Sequence, residues 1–423
     1  MISFSEHMRK EVMIRMSKTI ALIGTFDSKG KEFLFIKELI ESLGFNTFTI
    51  HSGVFEPQFE PDVNNNEVIQ AAGEDIQKIV DLKDRAYATA VLAKGMEILL
   101  PKLYKENKFD GVLSFGGTGG TSISTPGMRA LPIGVPKIMV STVASGNTQP
   151  YIGTSDIIMI PSIVDIAGLN TISMKIFTNA VFAICGMLKF EHKIELEHKP
   201  LIAATMFGLT TPCINYAKNY LEERGYEVLI FHATGIGGQA MENLIKNGFF
   251  EGVLDITTTE WADETVGGIL TAGPHRLEAA AQYGVPQVVS LGALDMVNFG
   301  PKETVPEKFL SRKFYQHNPT VTLMRTTVDE NKKIAENIAQ KLNQAKDYTT
   351  LMIPLKGFSG LDAQGQPFYG PKEDETLIKI LKEKIDSRKI EIIEENYHIN
   401  DEKFAQLAAK KLLELIEKKK GEK

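Results

Sequence analysis

The stretch Gly111-Val-Leu-Ser-Phe-Gly-Gly-Thr-Gly-Gly-Thr121 joins a short apolar run to a loop of glycines and threonines. Glycine permits positive φ and brings backbone N–H groups close to an anion, because no Cβ stands in the way. A helix that begins near Thr121 would also direct its unpaired amides and the positive end of its dipole at that anion. The pattern predicts a strand, a phosphate-binding loop and a helix. A purely structural turn is the alternative.

This loop differs from two common phosphate-binding motifs. Counted from Gly117, the third glycine of the dinucleotide fingerprint G-x-G-x-x-G is replaced by Ser122. A Walker A loop needs Gly-Lys followed by Ser or Thr, which does not follow here. The residues that we expect to contact the anion are Gly116, Gly117, Thr118, Gly119, Gly120 and Thr121.

A second loop of the same kind lies near the start of the chain. The run Thr19-Ile-Ala-Leu-Ile23 predicts a buried strand, and apolar spacing over residues 31–43 predicts a helix that ends at Gly44. Ligands bind outside the carboxyl ends of strands in an open parallel sheet, so we expect the two loops to converge there. The candidate binding residues of this loop are Gly24, Thr25, Asp27, Ser28 and Lys29.

Two charged residues of this second loop have distinct expected roles. Lys29 offers a point charge for phosphate oxygens. Asp27 offers a carboxylate that can hold Mg²⁺ directly or through water. Ordinary solvation of both side chains in a turn is the alternative.

Composition narrows the class of protein. The chain has 423 residues, 43% of them hydrophobic and 24% charged, which suits a folded protein of two or three domains. The formal net charge of −6 argues against a nucleic-acid-binding surface. The two cysteines, Cys185 and Cys213, are too few for a disulfide framework, so we expect a cytoplasmic location. The longest apolar run, 180–188, is shorter than the about 18 residues that span a bilayer, so we expect no membrane segment.

Strand and helix patterns alternate along the whole chain, which is typical of α/β proteins with parallel sheets. We predict two doubly wound, Rossmann-like domains with mostly parallel sheets. Residues 1–17 are expected to form a flexible extension, 18–197 an ATP/phosphate-binding α/β domain, and 198–423 a second α/β domain with a substrate site. We also expect a homo-oligomer.

The two halves show signs of an internal repeat. The pairs with a common separation of 181 positions (232 − 51 = 181) are Phe26 and Phe207, Gly44 and Gly225, and His51 and His232. The second half lacks the charged residues that the first half has at positions 27 and 29. Convergence on a common α/β architecture is the alternative explanation.

Seven motifs also carry a resemblance to a known family. They occupy residues 24–30, 116–121, 139–146, 164–170, 206–212, 291–300 and 317–319. Through them, nearly the whole chain resembles the ATP-binding-domain family of the tomato mosaic virus resistance protein, which includes bacterial relatives of unassigned function. The resemblance implies a two-domain α/β protein whose N-terminal domain binds ATP. It also adds Ser145 and Gly146 to the expected ATP contacts.

The second half contains residues suited to acid–base chemistry. The candidate catalytic residues are His232, Glu260, Asp295 and Arg325. We expect them to line one pocket that faces the interdomain cleft, where His232 and Glu260 exchange protons and Arg325 clamps an anionic group. Structural roles are the alternative: His232 recurs as His51 in the repeat, and Glu260 can favour a helix dipole.

Two classes of function remain open at this point. The first is an ATP-dependent or ATP-regulated enzyme that uses Mg²⁺ and acts on a small polar or anionic metabolite at the interdomain cleft. The second is a non-catalytic module that uses ATP to control a protein-partner surface. Polar loops in the second half favour the enzyme, whereas the lack of a standard NTPase motif favours the module.

Overall fold

The computed structural model describes residues 17–190, 199–346 and 348–422. The chain divides into two compact units, Met1–Glu195 and Leu196–Lys423. The predicted N-terminal extension falls almost wholly in residues 1–16, outside the described residues. The predicted boundary near residue 197 also lies outside them.

The first unit is built on a five-stranded parallel sheet. Its strands are β1 (Thr19–Gly24), β2 (Asn46–His51), β3 (Gly111–Gly116), β4 (Lys137–Ser141) and β5 (Ile158–Pro161). Its helices are α1 (Phe26–Ser42), α2 (Asn65–Ala71), α3 (Ile76–Leu82), α4 (Arg85–Lys105), α5 (Thr118–Ala130), α6 (Gln149–Ile152) and α7 (Thr171–Lys189). The strand order is β2-β1-β3-β4-β5, so the topological switch point lies between β1 and β3.

Helices cover both faces of this sheet because its central strands are apolar on both sides. In β1, Ile20 and Leu22 pack in one core layer with buried residues of α1 and α7. Ala21 and Ile23 face the other way, into a layer with α4 and α5. Alternate residues of a strand point to opposite faces, so one uninterrupted apolar run supplies two cores.

The second unit has a six-stranded parallel sheet and a small antiparallel sheet of three strands. Its strands are β6 (Leu201–Met206), β7 (Glu227–His232), β8 (Gly252–Thr257), β9 (Gln287–Gly292), β10 (Met296–Phe299), β11 (Phe314–Asn318), β12 (Val321–Arg325), β13 (Thr349–Pro354) and β14 (Ile390–Glu395). Its helices are α8 (Thr211–Glu222), α9 (Ile236–Lys246), α10 (Glu260–Val266), α11 (Ala279–Tyr283), α12 (Val328–Leu342), α13 (Pro371–Lys384) and α14 (Glu402–Gly421). Short 3-10 helices occupy Gly208–Thr210, Lys302–Thr304 and Glu307–Phe309.

The two parallel sheets have the same strand order. The larger sheet runs β7-β6-β8-β9-β13-β14, which repeats the order of the first sheet and adds one strand. The prediction of two doubly wound α/β domains is confirmed. The antiparallel sheet, ordered β10-β12-β11, is an addition that the alternating pattern did not predict.

The repeat extends to a ring contact at the edge of each sheet. Phe26 stacks on His51 with ring centroids 5.5 Å apart, and Phe207 stacks on His232 at 5.8 Å. The offset is not uniform, however: β2 and β7 are related by 181 positions, whereas β1 and β6 are related by 182. The second unit therefore has one residue fewer between its first strand and the phenylalanine, so the separation of 181 positions does not extend to the first strands.

Helix α7 is long and apolar enough to span a membrane, by length and composition alone. The count of consecutive apolar residues missed it because polar residues such as Lys175 and Asn179 interrupt the sequence. Its buried face, which includes Phe177, Val181 and Ile184, packs in the core layer beside β1 and β3. A core helix of a globular domain passes the same test of length and composition.

One glycine permits the close approach of two helices in the first unit. A Cβ placed on Gly95 of α4 would lie 1.9 Å from the carbonyl oxygen of Val68 in α2. We expect Gly95→Ala to lower the free energy of unfolding by about 1–3 kcal/mol, because α2 and α4 must separate. The measurement is urea denaturation of the full chain.

Gly186→Ala in α7 is the matched control. Nothing lies within 4 Å of a Cβ placed there, so the better helix propensity of alanine predicts a gain of about 0.5–1 kcal/mol. A Gly95→Ala protein as stable as the wild type would contradict the packing argument.

Candidate functional site

A cavity of about 830 Å³ lies where β1 and β3 end, at the switch point of the first sheet. Both glycine-bearing loops line it, as the geometry of open parallel sheets requires. The predicted binding residues that line it are Thr25, Asp27, Ser28, Lys29, Gly117, Thr118, Gly119 and Gly120. Those that do not line it are Gly24, Gly116, Thr121, Ser145 and Gly146.

Packing explains the position of three of these outlying residues. A Cβ on Gly24 would lie 2.0 Å from Cζ of Phe33, so this glycine makes room for an aromatic ring. A Cβ on Gly116 would lie 2.9 Å from Cα of Gly120, which makes it a residue of the turn itself. The hydroxyl of Thr121 is buried and lies 2.6 Å from that of Ser141. Ser145 and Gly146 lie in an exposed loop.

The glycine loop after β3 is itself the first turn of α5. This helix begins at Thr118, three residues earlier than the sequence predicted, with Gly117 as its N-cap. The first bond of the helix joins the amide of Thr121 to the carbonyl of Gly117 at 3.0 Å. The preceding amides of Thr118, Gly119 and Gly120 have no carbonyl to reach within the helix and lie at the cavity. An anion there would accept hydrogen bonds from the backbone.

A second helix start brings positive charge to the same cavity. Helix α4 begins at Arg85, capped by Asp84, whose Oδ1 accepts from the amides of Ala86 (2.8 Å) and Tyr87 (3.1 Å). Nη2 of Arg85 lies 3.6 Å from the position that a Cβ on Gly119 would take. Lys83, in the left-handed conformation at φ 50°, also lines the cavity. Residues 83–85 were not among the predicted binding residues, although Asp84 before an apolar period is a helix-start signal.

The charged residues of the 24–30 loop are both engaged by the protein. Oδ1 of Asp27 accepts from the amide of Ser28 at 2.7 Å, and Oδ2 accepts from the amide of Phe55 at 3.1 Å. Nζ of Lys29 donates to the carbonyl of Ile166. Asp27 therefore fixes the loop that carries Phe55. Among the described residues, no group of three or more His, Cys, Asp or Glu side chains is placed to hold a metal ion.

Part of the cavity wall is apolar. The residues that form it are Val54, Phe55, Ile79, Val80, Ala88, Leu92 and Ile123. Phe55 is 69% exposed, which is high for an aromatic side chain. The cavity therefore combines apolar side chains with helix amides, three cations (Lys29, Lys83 and Arg85) and three carboxyls (Asp27, Asp84 and Asp165). The amides and cations suit an anionic group of a ligand, and the apolar side chains suit a planar ring.

In the second unit, a carboxylate of the protein occupies a comparable group of amides. Oε1 of Glu260 accepts from the amides of Gly235 (2.7 Å) and Gly238 (3.1 Å) at the start of α9. Oε2 of Glu260 accepts from Nε of Arg276 at 2.6 Å. A Cβ on Gly238 would lie 2.3 Å from Oε2, so the glycine is needed to admit the carboxylate. The amides at the start of α9 are therefore already occupied by a carboxylate of the protein itself.

Arg276 binds three carboxylates in the interior of the second unit. Its side chain is 1% exposed and makes a two-bond contact with Asp255, at 2.6 and 2.7 Å, besides its bond to Glu260. Nη1 also reaches Glu242 at 3.2 Å. Burial raises the pKa of both Glu242 and Glu260, although Arg276 opposes that shift. Glu260 could be recognised from the sequence as a candidate residue but Arg276 could not, because no local pattern marks a buried cation.

The switch point of the second sheet is bridged by side chains. The hydroxyls of Thr210, after β6, and Thr257, at the end of β8, lie 2.8 Å apart. The hydroxyl of Thr205 donates to Asp255 at 2.8 Å and accepts from the amide of Thr257 at 3.0 Å. These bonds join the two loops that, in the first unit, flank the cavity.

The other candidate catalytic residues fall into separate environments. Arg325 donates to Asp374 at 2.7 Å and to the backbone carbonyl of Asp295 at 3.3 Å. The carboxyl of Asp295 is fully buried; Oδ2 accepts from the hydroxyl of Ser359 at 2.8 Å, and Oδ1 has no hydrogen-bond partner among the described residues. His232 is exposed and stacks on Phe207.

The four predicted catalytic residues therefore do not form one set of contacts. Asp295 and Arg325 lie together, whereas Glu260 belongs to the Arg276 cluster and His232 to the Phe207 stack. The prediction of a shared pocket assumed that every loop at one edge of a sheet is equally open. Burial of Glu260 and Asp295 by neighbouring loops explains the difference.

Three buried carboxyls make the stability of the second unit sensitive to pH. Burial raises the pKa of Asp263 and Asp295 from 3.8 to about 7, and that of Asp374 to about 8. The folded protein then holds these protons more tightly than the unfolded chain, so stability is lost as pH rises from about 4 to about 8. We expect a higher urea midpoint near pH 5 than near pH 8, measured for the cooperative transition of the second unit.

Asp295→Asn provides the control for that measurement. The amide carries no titrating proton, so this variant should lose part of the dependence on pH, up to about 1.4 kcal/mol per pH unit for one group. A urea midpoint that rises with pH over this interval would contradict the assignment.

Comparisons with known proteins place both units in one family. The model of the uncharacterised protein family UPF0261, N-terminal domain, matches residues 18–193, and the model of its C-terminal domain matches residues 199–416. A UPF0261 protein of Clostridium tetani (strain Massachusetts / E88) is 54% identical over 95% of this chain and 100% of its own length. A UPF0261 protein of Rhizobium meliloti (strain 1021) is 42% identical over 92% of this chain and 97% of its own length.

The chain is also similar to a longer plant protein. The ToMV resistance protein Tm-1(GCR237) of Solanum lycopersicum is 42% identical over 95% of this chain, and the match spans 56% of the plant protein. Among solved structures, the UDP-N-acetylglucosamine 2-epimerase of Rickettsia bellii is similar, and the alignment covers 96% of this chain and 97% of the epimerase chain. Its identity of 10% and TM-score of 0.21 are too low to support a functional comparison.

Proposed function

The chain belongs to the UPF0261 family, and we propose that its first unit binds ATP in the cavity between the ends of β1 and β3. One observation carries the proposal: the free amides of the α5 first turn and the guanidinium of Arg85 meet at one cavity. Nucleotide sites on doubly wound sheets are built from the same elements at the same position.

The helix amides and the three cations of the cavity suit the phosphate groups of ATP. The amides of residues 118–120 and the dipole of α5 favour a negative charge next to them. Arg85 adds a planar fork that can bind two phosphate oxygens at once, while Lys83 and Lys29 add point charges. The apolar wall supplies a surface for the base, and 830 Å³ lies within the about 300–1,000 Å³ that is usual for small-molecule sites.

We expect Mg²⁺ to bind here together with ATP, rather than in a site formed by protein ligands alone. The ion usually takes one or two carboxylates, substrate phosphates and several waters. Asp27 was the expected ligand, but both of its oxygens accept backbone amides. Asp165 also lines the cavity, and one of its oxygens accepts from the amide of Ile166 at 2.8 Å. We therefore assign the protein ligand of Mg²⁺ to Asp165.

Two substitutions test the phosphate contacts. We expect Arg85→Ala to weaken ATP binding about ten-fold or more, because a charged hydrogen bond is lost. Gly119→Val should prevent the phosphates from approaching the backbone amides of the α5 first turn. A Cβ at that position meets nothing closer than 3.6 Å, so the variant should still fold. The measurement is isothermal titration calorimetry with Mg–ATP.

Lys94→Ala is the matched control for Arg85→Ala. Lys94 lies on the same helix, is largely exposed and pairs with Glu97, away from the cavity. Lys94→Ala removes one positive charge, as Arg85→Ala does, and should leave ATP affinity unchanged. Equal affinity of the wild type, Arg85→Ala and Gly119→Val would exclude the site.

A second candidate function, an ATP-dependent enzyme, is supported by the environment of Asp295. This carboxyl is fully buried next to Arg325, and its Oδ1 is unpaired among the described residues. Buried, perturbed carboxyls of this kind occur at catalytic sites as well as in structural ion pairs. The ATP-binding module without turnover requires no such group.

Incubation with ATP and a metabolite extract separates the two functions. The enzyme predicts a new product that the wild type forms and Asp295→Asn does not, detected by mass spectrometry. Asp386→Asn, which alters a partly exposed carboxyl paired with Arg388, is the control. Identical product profiles for all three proteins and for a sample without protein would favour the module.

A further inference from the structure

Phe55 presents a large apolar ring at the mouth of the ATP cavity. It is 69% exposed and belongs to the cavity wall with Val54 and Val80. Exposed aromatic rings at pocket edges are typical of contact residues, because they supply apolar area with few rotatable bonds. The core of the first unit does not require this ring, since most of its surface is outside.

The backbone of Phe55 is held on both sides by the side chains of Asp27 and His51. Its amide donates to Oδ2 of Asp27 at 3.1 Å, and its carbonyl lies 2.8 Å from Nε2 of His51. Nδ1 of His51 accepts from the amide of Phe26 at 3.1 Å, so the proton of the neutral ring is on Nε2, which donates to Phe55. Both polar groups of the residue therefore have defined partners.

The rest of its loop is equally anchored to the start of α1. The amide of Ser52 donates to the carbonyl of Gly24 at 2.8 Å, and that of Gln58 donates to the carbonyl of Phe26 at 3.0 Å. The side-chain amide of Gln58 donates to the backbone carbonyl of Asp27 at 2.7 Å. These bonds thus fix the backbone that carries the exposed ring before any ligand arrives, which lowers the entropy cost of ordering the loop on binding.

The second unit lacks this arrangement. Gly208 stands where the first unit has Asp27, at the offset of 181, so no carboxylate is available there to hold the following loop. His232 is exposed, whereas His51 is fully buried. The fixed aromatic residue is therefore a feature of the unit with the open cavity, and not of the shared architecture.

We propose that the ring of Phe55 is the stacking platform for the base of the bound nucleotide. The inference rests on the proposed ATP site and names what that site selects: a ligand that carries a planar aromatic base, in preference to a bare polyphosphate. The phosphates contact α5 and Arg85, while the base stacks on Phe55 along the apolar wall.

The test compares ATP with inorganic tripolyphosphate as probes of the full chain. The wild type should bind ATP more tightly than tripolyphosphate. Phe55→Ala should weaken ATP binding by at least about five-fold and leave tripolyphosphate binding unchanged, because the stacking contribution alone is removed. Phe182→Ala, at a half-exposed phenylalanine of α7 outside the cavity, is the control and should behave as the wild type.

Phe55→Trp supplies an independent optical measurement. The chain has one tryptophan, Trp261, which is buried in the second unit, so the difference spectrum reports the new indole. Stacking predicts that ATP quenches this emission and tripolyphosphate does not. Retained ATP affinity in Phe55→Ala, or an indole unaffected by saturating ATP, would overturn the platform while leaving the ATP site intact. A wild type that binds neither probe would overturn the ATP site itself.

Discussion

Much of this structure depends on the backbone amides at the carboxyl edge of each sheet, where a strand ends and a helix begins. The first N–H groups of a helix have no partner inside it, and they must find an acceptor elsewhere. In the second unit, the carboxylate of Glu260 supplies that acceptor to the amides of Gly235 and Gly238. In the first unit, the carboxyl edge of the sheet has an open cavity at the first turn of α5, the helix that follows β3.

The buried carboxylate of Glu260 in the second unit needs further polar partners. A buried carboxylate needs a cation, which Arg276 provides, and the cation in turn is surrounded by Asp255 and Glu242. These carboxylates raise the pKa of Arg276, although burial of the guanidinium lowers it. Threonine hydroxyls then connect β6 and β8 at the switch point. One fold with the same strand order thus carries an open cavity at α5 in one unit and a self-contained ion cluster in the other.

Much of the fold could be predicted from local pattern, because apolar runs and glycines act on neighbouring residues. The strand before Gly117 and the strand before Asp27 were identified in this way, and so was their meeting at one edge. The start of α5 at Thr118 was missed because glycines were assigned to the loop rather than to the first helical turn. The β10-β12-β11 sheet was missed because it breaks the alternation on which the prediction relied.

The candidate site was harder to predict because its parts come from distant segments. Arg85 reaches the glycine loop from another helix, and nothing next to it in sequence indicates that contact. Asp27 was expected to bind a metal ion, but its oxygens are taken by the amides of Ser28 and Phe55. Burial is a tertiary property, so Glu260 and Asp295 could be recognised as polar loop residues but not as interior ones.

Hydrogen–deuterium exchange of the full chain, with and without Mg–ATP, tests most directly whether only the edge at α5 is open to a nucleotide. If ATP binds at the first turn of α5, exchange is expected to slow at residues 117–121 and 83–87 when ATP is present. No change is expected at residues 206–211 or 257–261, the equivalent loops of the second unit, nor at 235–238, where Glu260 already occupies the amides. Protection confined to the second unit, or no protection at saturating ATP, would contradict ATP binding in this cavity.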